Sequence, residues 1–290
     1  MNIKTIAVIG AGQMGSGIAQ VHAEAGYEVY LYDISEKQVE KGLESIQKRL
    51  ERNAAKGRIT AEDQEKTMGN LHASYVLSDV SKAELIIEAA SEKMEIKKAI
   101  FAQLNAEAQE TAVLATNTSS LPITEIAAET TRPDRVIGMH FMNPVPVMKL
   151  VEVIRGLATS GETTKAVMDV IQTLQKTAVE VQDSPGFAAN RILMPMINEA
   201  VFTLHEGTAD APGIDNVMKL GMNHPMGPLE LADFIGLDTC LYIMGILHEG
   251  LGEDKYRPCP LLRKYVKAGW LGKKTGRGFY EYNERIGAEK

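Results

Sequence analysis

Only two of the 290 residues are cysteine, Cys240 and Cys259, and they form neither a C-x-x-C pair nor a bridging framework. A disulfide-stapled secreted domain is excluded, and a reducing, cytoplasmic compartment is the expected home. No apolar run reaches the roughly 18 residues needed to cross a bilayer, so no membrane association is expected. The chain enters a strand pattern at once, Met1-Asn2-Ile3-Lys4-Thr5-Ile6-Ala7-Val8, without a charged lead or small-residue cleavage site, and no secretory signal is expected. Without export, the glycosylation sequon at Asn117-Thr118-Ser119 is incidental. The net charge of −7 is not broken by a long basic stripe, which argues against nucleic acid as the main partner. The histidines His22, His72, His140, His205, His224 and His248 show no H-E-x-x-H or other ligand spacing, so no metal is expected. G-x-S-x-G is absent, which disfavours acyl transfer through Ser119 and His140.

What is present is ordinary globular material, 44% hydrophobic and 24% charged, long enough for two domains, with one large α/β unit as the alternative. Up to about residue 182, short apolar runs alternate with longer helical patterns, the signature of a mostly parallel sheet covered by helices. The pattern predicts strands over 3–9, 28–32, 72–77, 85–89, 112–116, 135–140, 149–154 and 177–182. It predicts helices over 14–26, 36–56, 94–109 and 163–175. At Gln182-Asp183-Ser184-Pro185-Gly186 a turn cluster interrupts it, and beyond it helices are predicted over 186–206, 210–220, 228–249 and 260–268. The expected fold class is α/β: a Rossmann-type domain over 1–183, then a smaller all-α domain over 184–290.

Gly10-Ala11-Gly12-Gln13-Met14-Gly15 is a G-x-G-x-x-G between the first strand and the first helix. Gly10 allows the tight turn, Gly12 leaves room for a pyrophosphate, and Gly15 lets helix and strand pack closely, with Gln13 and Met14 completing the cofactor loop. The phosphates would sit on N–H groups at the helix N-terminus. Asp33, at the end of the second strand, is placed to accept hydrogen bonds from ribose hydroxyls, and its charge would repel a 2′-phosphate, which favours NAD(H) over the phosphorylated form. The bland alternative is an N-cap for the helix over 36–56.

Beyond the carboxyl ends of the strands stand Ser91-Glu92-Lys93, Asn117 to Ser120 and His140. If 135–140 and 149–154 are neighbouring strands joined by the broken loop Asn143-Pro144-Val145-Pro146, Glu152 returns beside His140. A carboxylate on an imidazole fixes the ring for proton shuttling. The alternative is a surface glutamate and a core histidine that never meet. Lys48, Arg49, Arg52, Lys56 and Arg58 form a basic cluster, with Ser45, Lys48, Arg52 and Lys56 on one helical edge; a solvated face balanced by Glu40, Glu44 and Glu51 is the plain reading.

Taken together, G-A-G-x-M-G-x-G-I-A, L-x-D at Asp33, I-I-E-A-A-x-E at 86–92, N-T-S-S-L at 117–121, the stretch 138–153, S-P-G-F-x-x-N-R-I at 184–192, N-H-P-M-G-P-L-E-L at 223–231 and W-L-G-x-K-T-G-x-G-F-Y at 270–280 resemble the L-3-hydroxyacyl-CoA dehydrogenases, and among them the bacterial stand-alone 3-hydroxybutyryl-CoA dehydrogenases. The likeness runs over essentially the whole chain. Met142 stands where relatives commonly have Phe. The resemblance implies NAD(H)-dependent interconversion of acetoacetyl-CoA and (S)-3-hydroxybutyryl-CoA, in a cleft between a Rossmann-type domain and a helical domain that forms a homodimer. It implies His140 as acid/base, Glu152 as its orienting partner, and Ser119 and Asn190 around the substrate's C3 oxygen. Asn143 would line the substrate site, Glu92, Lys97 and Asn117 would contact the dinucleotide, and Arg52 and Lys56 would hold coenzyme A phosphates. Taken alone, Asn190 reads as a solvent-facing residue in mid-helix. The alternatives are a broader-chain 3-hydroxyacyl-CoA dehydrogenase, a free-acid dehydrogenase using a lysine such as Lys165 or Lys176, and a non-catalytic, crystallin-like NADH-binding protein.

Overall fold

The computed structural model describes Met1 and residues 3 to 282, so the last eight residues of the expected second domain lie outside the described residues. Two compact units divide the chain, Met1–Ser184 and Pro185–Lys290.

The first unit is built on eight strands: β1 (Thr5–Ile9), β2 (Glu28–Tyr32), β3 (Leu71–Ser74), β4 (Leu85–Glu88), β5 (Val113–Thr116), β6 (Val136–Phe141), β7 (Leu150–Arg155) and β8 (Thr177–Gln182). They lie in the order β3-β2-β1-β4-β5-β6-β7-β8. Every neighbouring pair is parallel except β6 and β7. The central strands read Ile-Ala-Val-Ile, Leu-Ile-Ile and Val-Leu-Ala because helices cover both faces, so neither face of the pleat can be polar. The strand order reverses at β1 between β2 and β4, and that reversal opens the crevice in which such sheets bind ligands.

The helix Glu36–Ala55 turns Val39, Gly42, Ile46 and Leu50 inward at three- and four-residue spacing. Gly42 lets it lie on the glycine loop: a Cβ there would stand 2.9 Å from the Ala11 carbonyl oxygen. The expected strand over 72–77 stops at Ser74, because Leu77 already opens the short helix Leu77–Val80. A helix absent from the sequence reading, Ala61–Gly69, starts at a capping box in which Thr60 and Asp63 each bond the other's backbone N–H.

The second unit is helical around its own core of Met194, Ile197, Val201, Leu229, Leu237, Cys240, Met244, Leu247 and Leu262. The single helix expected over 228–249 is two helices, Pro228–Ile235 and Leu237–Leu251, bent by 99°. The break is Gly236, whose φ of +106° is open to glycine and strained for other residues. Asp233 holds the segment 279–282 against this corner, accepting hydrogen bonds from the N–H groups of Phe279 and Tyr280 and from the Tyr282 hydroxyl. Among the described residues no single helix is long and apolar enough to cross a membrane.

Candidate active site

The glycine loop leaves β1 at the sheet's reversal. Gly10 takes φ +103° with its N–H on the Tyr32 carbonyl, and a Cβ there would meet the Ala89 carbonyl oxygen at 2.7 Å. A Cβ on Gly15 would meet the Gly10 carbonyl oxygen at 1.7 Å, so strand and helix approach as closely as backbone allows. Gly12 differs: a Cβ there would meet nothing within 4 Å. The protein itself does not require glycine at position 12, whereas a group approaching the N-terminus of the helix Gln13–Glu24 from outside does. The loop therefore fits a dinucleotide diphosphate.

Asp33 is not the cap of the next helix; that position belongs to Ser35. Its carboxylate instead accepts from the Ala11 N–H at 2.9 Å and the Ser35 N–H at 3.1 Å, which fixes it beside the glycine loop.

One strand further, Glu88 ends β4 completely buried. Its two oxygens receive the Lys97 ammonium at 2.8 and 2.9 Å, and the Thr116 hydroxyl and the Ala90 N–H complete the set. Lys97, 1% exposed, also stands 3.4 Å from Glu92. Glu92 gathers the turn after β5: its Oε1 accepts from the Thr118 hydroxyl at 2.7 Å, the Ser119 N–H at 2.8 Å, and the Ser119 and Ser120 hydroxyls at 3.0 and 3.1 Å. Burial pushes the Glu92 carboxyl up, but the Lys97 charge and the bonds from Thr118 and Ser119 outweigh it and leave the group below its ordinary range. Asn117 accepts the Phe141 N–H at 2.9 Å, which ties this turn to the end of β6.

There His140 and Glu152 are register partners across the antiparallel β6–β7 pair, with Nδ1 2.8 Å from Oε2. His140 is 8% exposed and Glu152 2%. A carboxylate only accepts, so Nδ1 carries the hydrogen, and Nε2 is the nitrogen that can exchange a proton. The joining loop comes back to the cofactor loop: Asn143 Oδ1 accepts from Gln13 Nε2 at 3.2 Å.

The first unit thus brings Gly10, Gly12, Gln13, Gly15, Asp33, Glu92, Asn117, Ser119, His140, Asn143 and Glu152 onto the carboxyl-end side of one sheet or the loops that follow it. Met14 is half-buried in the first turn of the helix behind the loop. Arg52 and Lys56 lie exposed in the last turn and at the C-cap of Glu36–Ala55, while Lys48 pairs with Glu44. Arg49, also of the basic cluster, turns inward to Gln20, Ser45 and the Ser16 carbonyl. Asn190 belongs to the second unit and is not in mid-helix: it is 9% exposed in the first turn of Ala189–His205, its N–H on the Gly186 carbonyl. Neither lysine of the free-acid alternative offers a catalytic amine, since Lys165 is exposed and bonded to Asp169, and Lys176 bonds two carbonyls.

Residues 5–184 match the family profile described as 3-hydroxyacyl-CoA dehydrogenase, NAD binding domain, and residues 186–282 match its C-terminal domain. The chain belongs to the 3-hydroxyacyl-CoA dehydrogenase family. It is 60% identical to the probable 3-hydroxybutyryl-CoA dehydrogenase of Bacillus subtilis over 98% of this chain and 99% of that one. It is 54% identical to the 3-hydroxybutyryl-CoA dehydrogenase of Bradyrhizobium diazoefficiens over 97% and 96%. The crystal structure of (S)-3-hydroxybutyryl-CoA dehydrogenase from Ralstonia eutropha superposes with a TM-score of 0.96 at 47% identity, over 98% of this chain and all of that one. This 3-hydroxyacyl-CoA dehydrogenase is an NAD-dependent oxidoreductase. The sequence did not reveal Glu88 and Thr116 as partners in its site network; the one available signal was a charged residue closing the apolar strand Leu85-Ile86-Ile87.

Proposed function

We propose that this enzyme interconverts acetoacetyl-CoA and (S)-3-hydroxybutyryl-CoA, with NAD(H) as cofactor, as a homodimer in the cytoplasm. The observation that carries the chemistry is the buried His140–Glu152 pair on the sheet whose reversal holds a glycine loop fit for a dinucleotide.

The N–H groups opening the helix Gln13–Glu24 would hold the diphosphate, and Asp33 the ribose hydroxyls. Bound NAD supplies the hydride acceptor, and NADH the donor. His140 Nε2 takes the proton of the C3 hydroxyl in oxidation and returns it to the developing alkoxide in reduction. Glu152 stabilises the imidazolium formed in between. Ser119 and Asn190 hydrogen-bond the C3 oxygen where negative charge develops. Glu92 and Asn117 fix the turn that carries Ser119, and Lys97 supports the dinucleotide side of the site through Glu92. Asn143 borders the substrate, and Arg52 and Lys56 attract the coenzyme A phosphates.

Pro185–Lys290 serves substrate binding and dimerisation. Its exposed Ile192, Val217, Leu220, Met222, Phe234 and Tyr242 support that reading, since large apolar residues in such number suit a covered surface.

The test compares reduction of acetoacetyl-CoA with reduction of free acetoacetate, each with NADH and with NADPH. Turnover of the thioester with NADH is expected. Preference for the free acid would overturn the substrate, and preference for NADPH the role of Asp33. NADH binding without any turnover would support a non-catalytic protein.

A further inference from the structure

The loop from Met142 to Lys149 has to hold Asn143 at the site while sharing no ladder bonds with β6 or β7. It is fastened instead at three places. Asn143 accepts from Gln13 in the glycine loop. Val145 is buried against Gly17 of the helix Gln13–Glu24, where a Cβ on Gly17 would come within 3.0 Å of its own Cβ. The third fastening is Lys176, whose ammonium donates to the Val145 and Met148 carbonyls at 2.7 Å each. The next residue continues the seam, Thr177 donating its N–H to the Lys149 carbonyl at 2.7 Å.

Lys176 is aimed there by the end of a helix. After Gly161–Thr173, the Gln175 N–H bonds the Gln172 carbonyl, the Lys176 N–H bonds the Ile171 carbonyl, and Gln175 takes φ +55°. This is the Schellman arrangement with glutamine in the place glycine usually holds. A side chain in the left-handed region is disfavoured, because its Cβ crowds the following carbonyl oxygen. The chain tolerates that crowding at the residue that directs Lys176 toward the loop. Burial also holds the Lys176 ammonium below its ordinary pKa despite the nearby Glu24 charge, as expected of a cation withdrawn from water to serve two carbonyls.

We propose that Lys176 is a positioning residue for the dehydrogenase reaction: by clamping the Val145 and Met148 carbonyls it holds the loop that carries Asn143 between His140 and Glu152. The proposal rests on the function assigned above. A neutral residue leaves two carbonyls without their shared donor, the loop loosens, and Asn143 no longer stays where the substrate needs it. Misplacement of about 1 Å lowers turnover by up to about 10²-fold. The glycine loop keeps its own bonds from Gly10 to Tyr32 and from Ala11 to Asp33, so NADH binding is spared.

The test uses Lys176→Met, Lys176→Arg and, as control, Lys165→Met at the exposed lysine of the helix Gly161–Thr173 that precedes Lys176. Hydrogen exchange is followed at the Val147 and Met148 amides, both bonded to the Pro144 carbonyl. In Lys176→Met these amides should exchange at least ~10-fold faster, as local opening becomes easier. Its kcat with acetoacetyl-CoA should fall by about 10- to 100-fold, with the NADH dissociation constant within about threefold. Lys176→Arg, which still donates to carbonyls, should recover part of both, and Lys165→Met should match the wild type. Unchanged exchange and kcat in Lys176→Met would overturn the proposal, as would a loss of kcat without faster exchange. If Lys176→Met does not fold, Lys176→Ala, which likewise donates to neither carbonyl, carries the same readouts. A wild-type enzyme inactive on acetoacetyl-CoA would sink the substrate reading, while the exchange data would still decide the clamp.

Discussion

Glu152 lies directly across the β6–β7 ladder from His140, with 2.8 Å between Oε2 and Nδ1, and both side chains are buried. A two-residue shift of register would keep Glu152 on the same face of the sheet and still separate the pair, so the function of the histidine is written into the pairing of two strands.

Replacing Glu152 with Gln keeps the shape but removes the charge that stabilises the imidazolium. An amide can also present its NH₂ to the ring and hold the wrong tautomer. We expect turnover to fall by about 10²-fold or more with the fold intact. Steady-state kinetics alongside thermal unfolding check this. Turnover near wild type in a folded protein would mean that the carboxylate does not serve the ring.

The glycine loop separates stability from binding. Gly12→Ala should unfold like the wild type and lose NADH affinity, because its methyl group enters space that the protein leaves open. Gly15→Ala should destabilise by more than about 2 kcal/mol, because its methyl group meets the Gly10 carbonyl. Denaturant titration and NADH fluorescence separate the two variants. A destabilised Gly12→Ala protein would show that this glycine serves packing.

His22 makes stability depend on pH. It is fully buried, its Nδ1 on the Ile18 carbonyl and its Nε2 without a hydrogen-bond partner, and burial lowers it from 6.5 to about 4. Below 6.5 the unfolded chain takes up a proton that the folded chain refuses until about 4. The contribution of neutral His22 is therefore complete above that window and lost as pH falls through it, by about 3 kcal/mol in all. Urea unfolding at several pH values should show the slope, and His22→Leu should lose this part of it whatever its absolute stability. An identical slope in the variant would assign the acid sensitivity elsewhere.

The parts of the molecule legible in the sequence are those whose signal is local. The glycine spacing and Asp33 lie on one strand–helix–strand unit. His140 and Glu152 were within reach because a proline-broken loop between two strand patterns implies a return, and the period of two gives the face. The Glu88–Lys97–Glu92 network was not legible, because it depends on β4 lying beside β5 and on a helix bringing Lys97 back over the strand end. Ala61–Gly69 escaped notice because Thr67 is its one buried residue, which leaves no apolar stripe; the capping pair Thr60 and Asp63 was its only mark. The bend at Gly236 was hidden by apolar residues running through it on both sides, and the glycine itself was the overlooked signal. Nothing in the sequence marks Gln175 as left-handed, so the direction of Lys176 had to come from the structure.

The most direct test of the central claim is His140→Ala, assayed for acetoacetyl-CoA reduction by following loss of NADH absorbance, with NADH binding measured separately. The account predicts turnover lower by about 10²- to 10⁴-fold with NADH affinity retained. Turnover close to wild type in a folded, NADH-binding variant would contradict it and remove His140 from the chemistry.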